Sequence, residues 1–73
     1  MKKSTIKKTY VLTDHFISGE IFLHEDDTGK VTCDFTKCDA RASQITFLLR
    51  AAEGGMENLR RSLSAYSNVR QLI

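Results

Sequence analysis

Between Gly19 and Thr36 the chain changes polarity almost residue by residue, and this alternation constrains the fold more than any other feature. Ile21 and Leu23 alternate with Glu20, Phe22 and His24. After Asp26-Asp27-Thr28-Gly29, Val31, Cys33 and Phe35 alternate with Thr32, Asp34 and Thr36. Successive side chains of a strand point to opposite faces, so a period of two predicts one covered face and one open face. The Asp and Gly residues between the runs suit the positive-φ positions of a short loop, so 19–36 is predicted as a β-hairpin. Upstream, "TIKKTYVLT" is β-branched and aromatic, which predicts a strand with Ile6, Tyr10 and Leu12 on one face. "DHFISG" then connects it to the hairpin. The result is a three-stranded antiparallel sheet, β-β-β, over residues 1–36.

After Thr36 the period lengthens. In 39–53, Ile45, Leu48, Leu49 and Ala52 form a stripe at helical spacing, and Thr36 or Asp39 can supply the N-cap oxygen. From Met56 to Ile73 a second stripe runs through Met56, Leu59, Leu63, Tyr66 and Val69. Gly54-Gly55 lies between, and a glycine pair costs a helix roughly 2 kcal/mol relative to alanine. That favours two helices. Yet Ile45, Leu49, Ala52, Met56, Leu59, Leu63 and Tyr66 keep heptad spacing across the glycines, as one long kinked helix or a coiled-coil-like seam would. The expected fold is therefore α+β, a single domain over 1–73. Its three-stranded sheet is followed over 39–73 by two amphipathic helices, or by one long kinked helix.

A chain of 73 residues buries only about 60% of the surface its unfolded form exposes. Small chains compensate with disulfides, a metal or a second subunit. Four residues could ligate a metal: His15, His24, Cys33 and Cys38. Their spacing does not give the two tight pairs that a structural zinc site usually presents. A disulfide between Cys33 and Cys38 needs a sharper turn than an extended 33–35 run allows. Cys33 is expected in the core. Cys38 is expected near a helix N-terminus, which with Lys37 could lower its pKa and make it reactive. No metal and no cofactor is expected. The remaining means of completing the core is a second copy, because 39–73 offers more amphipathic helix than three strands can cover.

Charge falls in blocks. Residues 1–13 carry four lysines and no acid (+4), residues 14–39 seven acids and two lysines (−5), and residues 40–73 five arginines and two glutamates (+3). Such blocks suit solvated faces or faces that steer a partner. No apolar run approaches the roughly 20 residues that span a bilayer, and no apolar segment follows the N-terminal lysines as in a signal peptide. The expected location is the cytoplasm, where a persistent disulfide is disfavoured.

Catalysis finds little support. There is no serine elbow, no phosphate-binding glycine loop, and Glu25-Asp26-Asp27 lacks the alternating ligands of a calcium loop. The strand-helix-helix order of 31–73 has the order of a ribbon-helix-helix repressor, but Asp34 stands where a base-reading strand needs cations. The sequence thus points to a small non-enzymatic regulator or adaptor that acts by protein–protein binding as a homodimer. Met56, Leu59, Leu63, Tyr66 and Val69 are its expected interface. The alternative is a nucleic-acid-binding regulator, with Lys2, Lys3, Lys7 and Lys8 as a basic arm and Arg60 and Arg61 on an exposed helix face. No membrane partner is expected.

Overall fold

In the computed structural model, which describes residues 5–73, the chain runs β1 (Ile6–Asp14), β2 (Ile17–Asp26), β3 (Val31–Asp34), β4 (Cys38–Asp39), α1 (Ala42–Ala52), α2 (Gly55–Ser62) and β5 (Ser67–Gln71). The fold is a small α+β arrangement with a five-stranded antiparallel sheet in the order β3-β2-β1-β5, β4 pairing separately with β2. The expected sheet is thus enlarged by two strands.

Three aspartates explain where the strands stop. Asp14, Asp26 and Asp34 each end a strand, and each Oδ1 accepts the backbone N–H two residues on: Phe16 at 2.8 Å, Thr28 at 2.9 Å and Thr36 at 2.9 Å. A carboxylate that bonds its own backbone in this way closes a turn and competes with strand continuation. The acidic block of 14–39 is therefore in part a set of turn-formers. The first of these turns is so tight that Ile17, Ser18 and Gly19, expected in a connection, belong to β2. Between β2 and β3 only Gly29 has a positive φ (87°); Asp26 and Asp27 do not.

Alternation places Tyr10, Leu12, Ile21, Leu23, Val31 and Cys33 on one face, where α1 and α2 lay Leu48, Ala51, Ala52, Met56 and Leu59 over them. Leu23 and Leu59 are fully enclosed (0% exposed) and Leu12 and Ile21 nearly so (1%). Burying a side chain of this size contributes about 1.5–3 kcal/mol, so this single layer dominates stability. Ile6 does not join it. The irregularity between Ile6 and Lys8 in the pairing with β2 interrupts the alternation, as a β-bulge does, and Ile6 is exposed.

Gly19 marks the closest approach in the fold. Its φ is +90°, and a Cβ there would meet the Lys37 carbonyl oxygen at 2.3 Å and Cys38 Cα at 2.9 Å. The backbone of β4 thus covers β2 directly, held by the Glu20 N–H on the Lys37 oxygen at 3.0 Å.

The helical half departs from expectation at its start and at its end, and between them keeps the expected break into two helices. At the start, α1 begins at Ala42, with Arg41 as N-cap rather than Thr36 or Asp39. Thr36 is engaged by Asp34, and the Gln44 side chain accepts the Arg41 N–H at 2.7 Å. The glycines do break the helix. Gly55 adopts φ +88°, and the Asn58 amide donates to the Ala51 carbonyl at 2.8 Å, satisfying the end of α1. The single long helix and its heptad seam are excluded. At the end, α2 stops at Ser62, and 67–71 is a strand on β1, not helix. Ser64 ends the helical run by folding back. Its carbonyl accepts the Ser67 N–H at 3.1 Å and its hydroxyl the Tyr66 N–H at 3.3 Å. Among the described residues no helix is long and apolar enough to cross a membrane.

Candidate binding groove

A groove of about 330 Å³ opens where the β1–β2 turn, the start of α1 and the 62–67 crossover meet. Its floor is apolar, made of Leu12, Ile17, Leu48 and Leu63. Phe16 and Phe47 stand at its rim, and Ser43, Ser62, Ser64 and Ser67 supply hydroxyls. Asp14 fixes this corner: Oδ1 holds the turn through Phe16, and Oδ2 accepts the Ser67 hydroxyl, joining β1 to β5. Gln44 Nε2 donates to the Phe16 carbonyl at 3.3 Å and ties α1 to the turn.

The rim is unusual in what it leaves in water. Phe16 is 69% exposed and Phe47 50%, and Tyr66, 59% exposed, lies outside the lining but against Phe16. Phe16 and Tyr66 meet edge to face, with ring centroids 5.5 Å apart, and His15 lies beside both, tilted against Tyr66 at 5.7 Å and edge-on to Phe16 at 6.2 Å. The His15 N–H donates to the Tyr66 carbonyl at 3.3 Å, so the turn and the crossover are locked together beneath the rings. The aromatic group is held by backbone bonds and is not a loose pair of side chains.

A larger depression, about 840 Å³, lies between the β2–β3 turn and the helix junction. Its wall is largely turn backbone and glycine, with Lys30 and Glu53 on it and Leu49 as its one exposed large apolar side chain. It presents no aromatic side chain, so the smaller groove is the better anchor site.

The expected interface residues are dispersed. Met56 and Leu59 are buried in the chain's own core and offer nothing to a partner. Leu63 and Val69 are partly buried against that core, Leu63 in the groove floor and Val69 opposite Leu12 in β5. Only Tyr66 is exposed. The argument for a dimer from surplus helix falls with this, because helices of 11 and 8 residues find their cover on the sheet. Leu49, expected on the α1 stripe, is also exposed; Ala51 takes its place.

The basic residues are likewise separated by role. The Arg60 guanidinium lies over the Tyr10 ring, 5.7 Å from its centroid, and Tyr10 donates to Glu25 at 3.2 Å. Burial, then the Glu25 contact, pushes the Tyr10 hydroxyl pKa up. Arg61 is paired with Glu57 at 2.6 Å. Lys7 and Lys8 are exposed on β1, while Lys2 and Lys3 lie outside the described residues.

Neither cysteine is activated. Cys38 sits in β4, not at a helix N-terminus, and its thiol donates to the Phe35 carbonyl at 3.3 Å. Burial pushes the pKa of both Cys38 and Cys33 up, which opposes thiolate formation. Both thiols are free. Among the described residues no three His, Cys, Asp or Glu side chains are grouped as a metal would require. His24, for example, is taken up with Thr9 at 3.2 Å on the open sheet face.

Sequence reasoning missed Phe16 and Phe47. Phe47 carried a signal, since it is an aromatic residue off the apolar stripe of its helix. Phe16 carried none, because its exposure follows from the tightness of the Asp14 turn. No protein-family model, curated protein or solved structure matches the chain.

Proposed function

We propose that this chain is a non-enzymatic protein-binding module, a regulator or adaptor. Its groove takes an apolar side chain from an extended segment of a partner protein. One observation carries the reading: Phe16 and Phe47 stand half or more exposed at an apolar floor, with Tyr66 packed against Phe16, on a backbone that hydrogen bonds hold in place. Aromatic anchors and desolvated pockets of this kind concentrate binding energy in protein interfaces, and a fixed rim reduces the ordering cost of binding. The serine hydroxyls at the groove edge suit the backbone of an extended segment.

The test is selection from a random peptide display library against the full chain, followed by titration of the enriched peptides. Peptides with an aromatic or large aliphatic anchor are expected. Phe16→Ser and Tyr66→Ser should each weaken them by about tenfold or more, with Arg61→Gln without effect. Enriched peptides that bind both serine variants unchanged would refute the groove. Tight oligonucleotide binding that falls steeply with salt and is lost on replacing Lys7 and Lys8 would put the nucleic-acid alternative first.

A further inference from the structure

Among the described residues the sheet ends on two edge strands, β3 with four residues and β5 with five, and only β5 is prolonged along its neighbour, through Leu72 and Ile73. β5 pairs with β1 on one side, and among the described residues no strand pairs with its outer side. Natural sheets guard such an edge with lysine, proline, a bulge or a very short strand. The run Ser67-Asn68-Val69-Arg70-Gln71-Leu72-Ile73 has no lysine and no proline, with Arg70 its one charge. Leu72 and Ile73 continue the pairing through Thr9 and are 45% and 78% exposed.

The outward backbone groups can be assigned by alternation. The Tyr66 carbonyl accepts from His15, and the Leu72 N–H donates to Thr9 at 2.7 Å, so the even-numbered residues bond inward to β1. The backbone groups of Ser67, Val69 and Gln71 then face outward. The Ser67 N–H is already used by Ser64.

We infer that this edge pairs with β5 of a second copy, antiparallel about a two-fold axis at Val69, making one continuous sheet across two chains. Val69 then exchanges both backbone bonds with its counterpart, and each Gln71 N–H donates to the Ser67 carbonyl of the other copy. The Ser67 N–H is spent within its own chain, so this pair keeps one bond of its two and the Gln71 carbonyl faces water. Charge selects this register. Asn68 falls opposite Arg70 of the second copy, whereas moving the axis one residue on to Arg70, a slip of two in the pairing, sets Arg70 against Arg70, which is unfavourable. The same register brings the positions of Tyr66 and Leu72, both exposed in the single chain, opposite each other. Residues opposed across antiparallel strands share a face, so the helices of both copies lie on the same side. A second copy is the occupant argued for because it presents the same outward groups at matching spacing, with the one charge of the run, Arg70, kept opposite Asn68 and away from its own counterpart. Tyr66 and Ser67 lie at both the groove and this edge, whereas Phe16 belongs only to the groove and Gln71 only to the edge, so Phe16→Ser tests the first proposal and Gln71→Pro the second.

The experiment joins sedimentation with cross-linking on the full chain. Sedimentation velocity should show a concentration-dependent dimer. Gln71→Pro removes an outward N–H without touching the pairing to β1 and should weaken association by about tenfold or more. For register, Asn68→Cys and Arg70→Cys chains, each with Cys33→Ala and Cys38→Ala, are mixed and mildly oxidised. Mixed dimers should exceed both homodimers, because opposed positions in this register meet disulfide geometry. A monomer at all concentrations up to about millimolar would overturn the proposal. So would a dimer that cross-links equally in all three combinations, whether or not Gln71→Pro folds.

Discussion

The two faces of this sheet are made of the same strands and are kept dry by different means. On the closed face Leu12, Ile21 and Leu23 are sealed at 0–1% exposure by a layer of helix. The other face has no layer among the described residues, yet Val11 on it is only 5% exposed. Its neighbours in register are Phe22 on β2 and Arg70 on β5. A long side chain can lie along an apolar neighbour while its charged head stays in water, so two flanking side chains replace a layer. Around them Thr9, His24, Thr32, Asp34 and Asn68 keep the face polar. The contrast teaches how a short chain divides its apolar residues: one face receives a core, and the other receives just enough bulk to protect the central strand.

This contrast can be broken by truncation on either side. Leu23→Ala leaves a cavity in the core beneath the helices and should cost about 2–5 kcal/mol. Val11→Ala, one position away in register, removes two methyl groups from a site that neighbours can refill, and should cost about 1–2 kcal/mol. Chemical denaturation of both variants at one low protein concentration compares them directly. Equal losses would mean that the open face is layered in solution. The β5 pairing does not provide such a layer, because it extends the sheet sideways and leaves both faces as they are.

A different constraint acts at Gly19, which is exposed but where the backbone of Lys37 and Cys38 comes so close that a side chain has no room. Gly19→Ala must both adopt a left-handed conformation and push the Lys37 carbonyl away from 2.3 Å. An L-residue held in such a conformation costs of order 1–3 kcal/mol, and the backbone clash adds to it. The expected result is a loss of unfolding free energy of about 2 kcal/mol or more, accompanied by shifted amide resonances at Lys37 and Cys38. If stability fell while those amides stayed in place, the close approach would not be the cause.

How far the sequence disclosed this arrangement depends on how local each cause is. The hairpin of β2 and β3 was legible because alternation, turn and pairing all lie within about twenty residues of one another. The break at Gly54-Gly55 was legible for a similar reason, since glycine acts on its own backbone. β5 was not. Val69 reaches the core opposite Leu12 by pairing with a strand more than fifty residues earlier. Its distance from Leu63 and Tyr66 matched a helix only by coincidence. Ser62, Ser64, Ser67 and Asn68 were the readable warning, for short polar side chains compete with helix bonds and mark turns. The groove was half legible. Leu63 and Tyr66 were named for the wrong reason, and Phe16 emerges only once Asp14 has tightened its turn.

The smallest expected effect concerns the open face alone. Asp34 stands there at the end of β3, and the Thr36 hydroxyl, at 2.6 Å, and then the Thr36 N–H hold its carboxyl below the usual carboxylate range, with His24 and Lys37 assisting. A carboxyl with a lower pKa folded than unfolded stabilises the fold above the unfolded value. That contribution disappears as pH falls through the folded value. The loss therefore belongs to the acid limb, below the ordinary carboxylate pKa, and stability near neutrality does not change with pH on this account. Thr36→Ala removes the larger of the two bonds, so the Asp34 titration followed by carboxyl NMR should move up toward the ordinary range. The acid limb of the stability curve should move up with it. Leu23 and its neighbours should not register the change, because no ionisable group of the open face reaches the closed one through the sheet. An Asp34 titration unmoved by Thr36→Ala would mean that the turn is held by the backbone bond alone, and that the open face owes its pH response to His24 and Lys37.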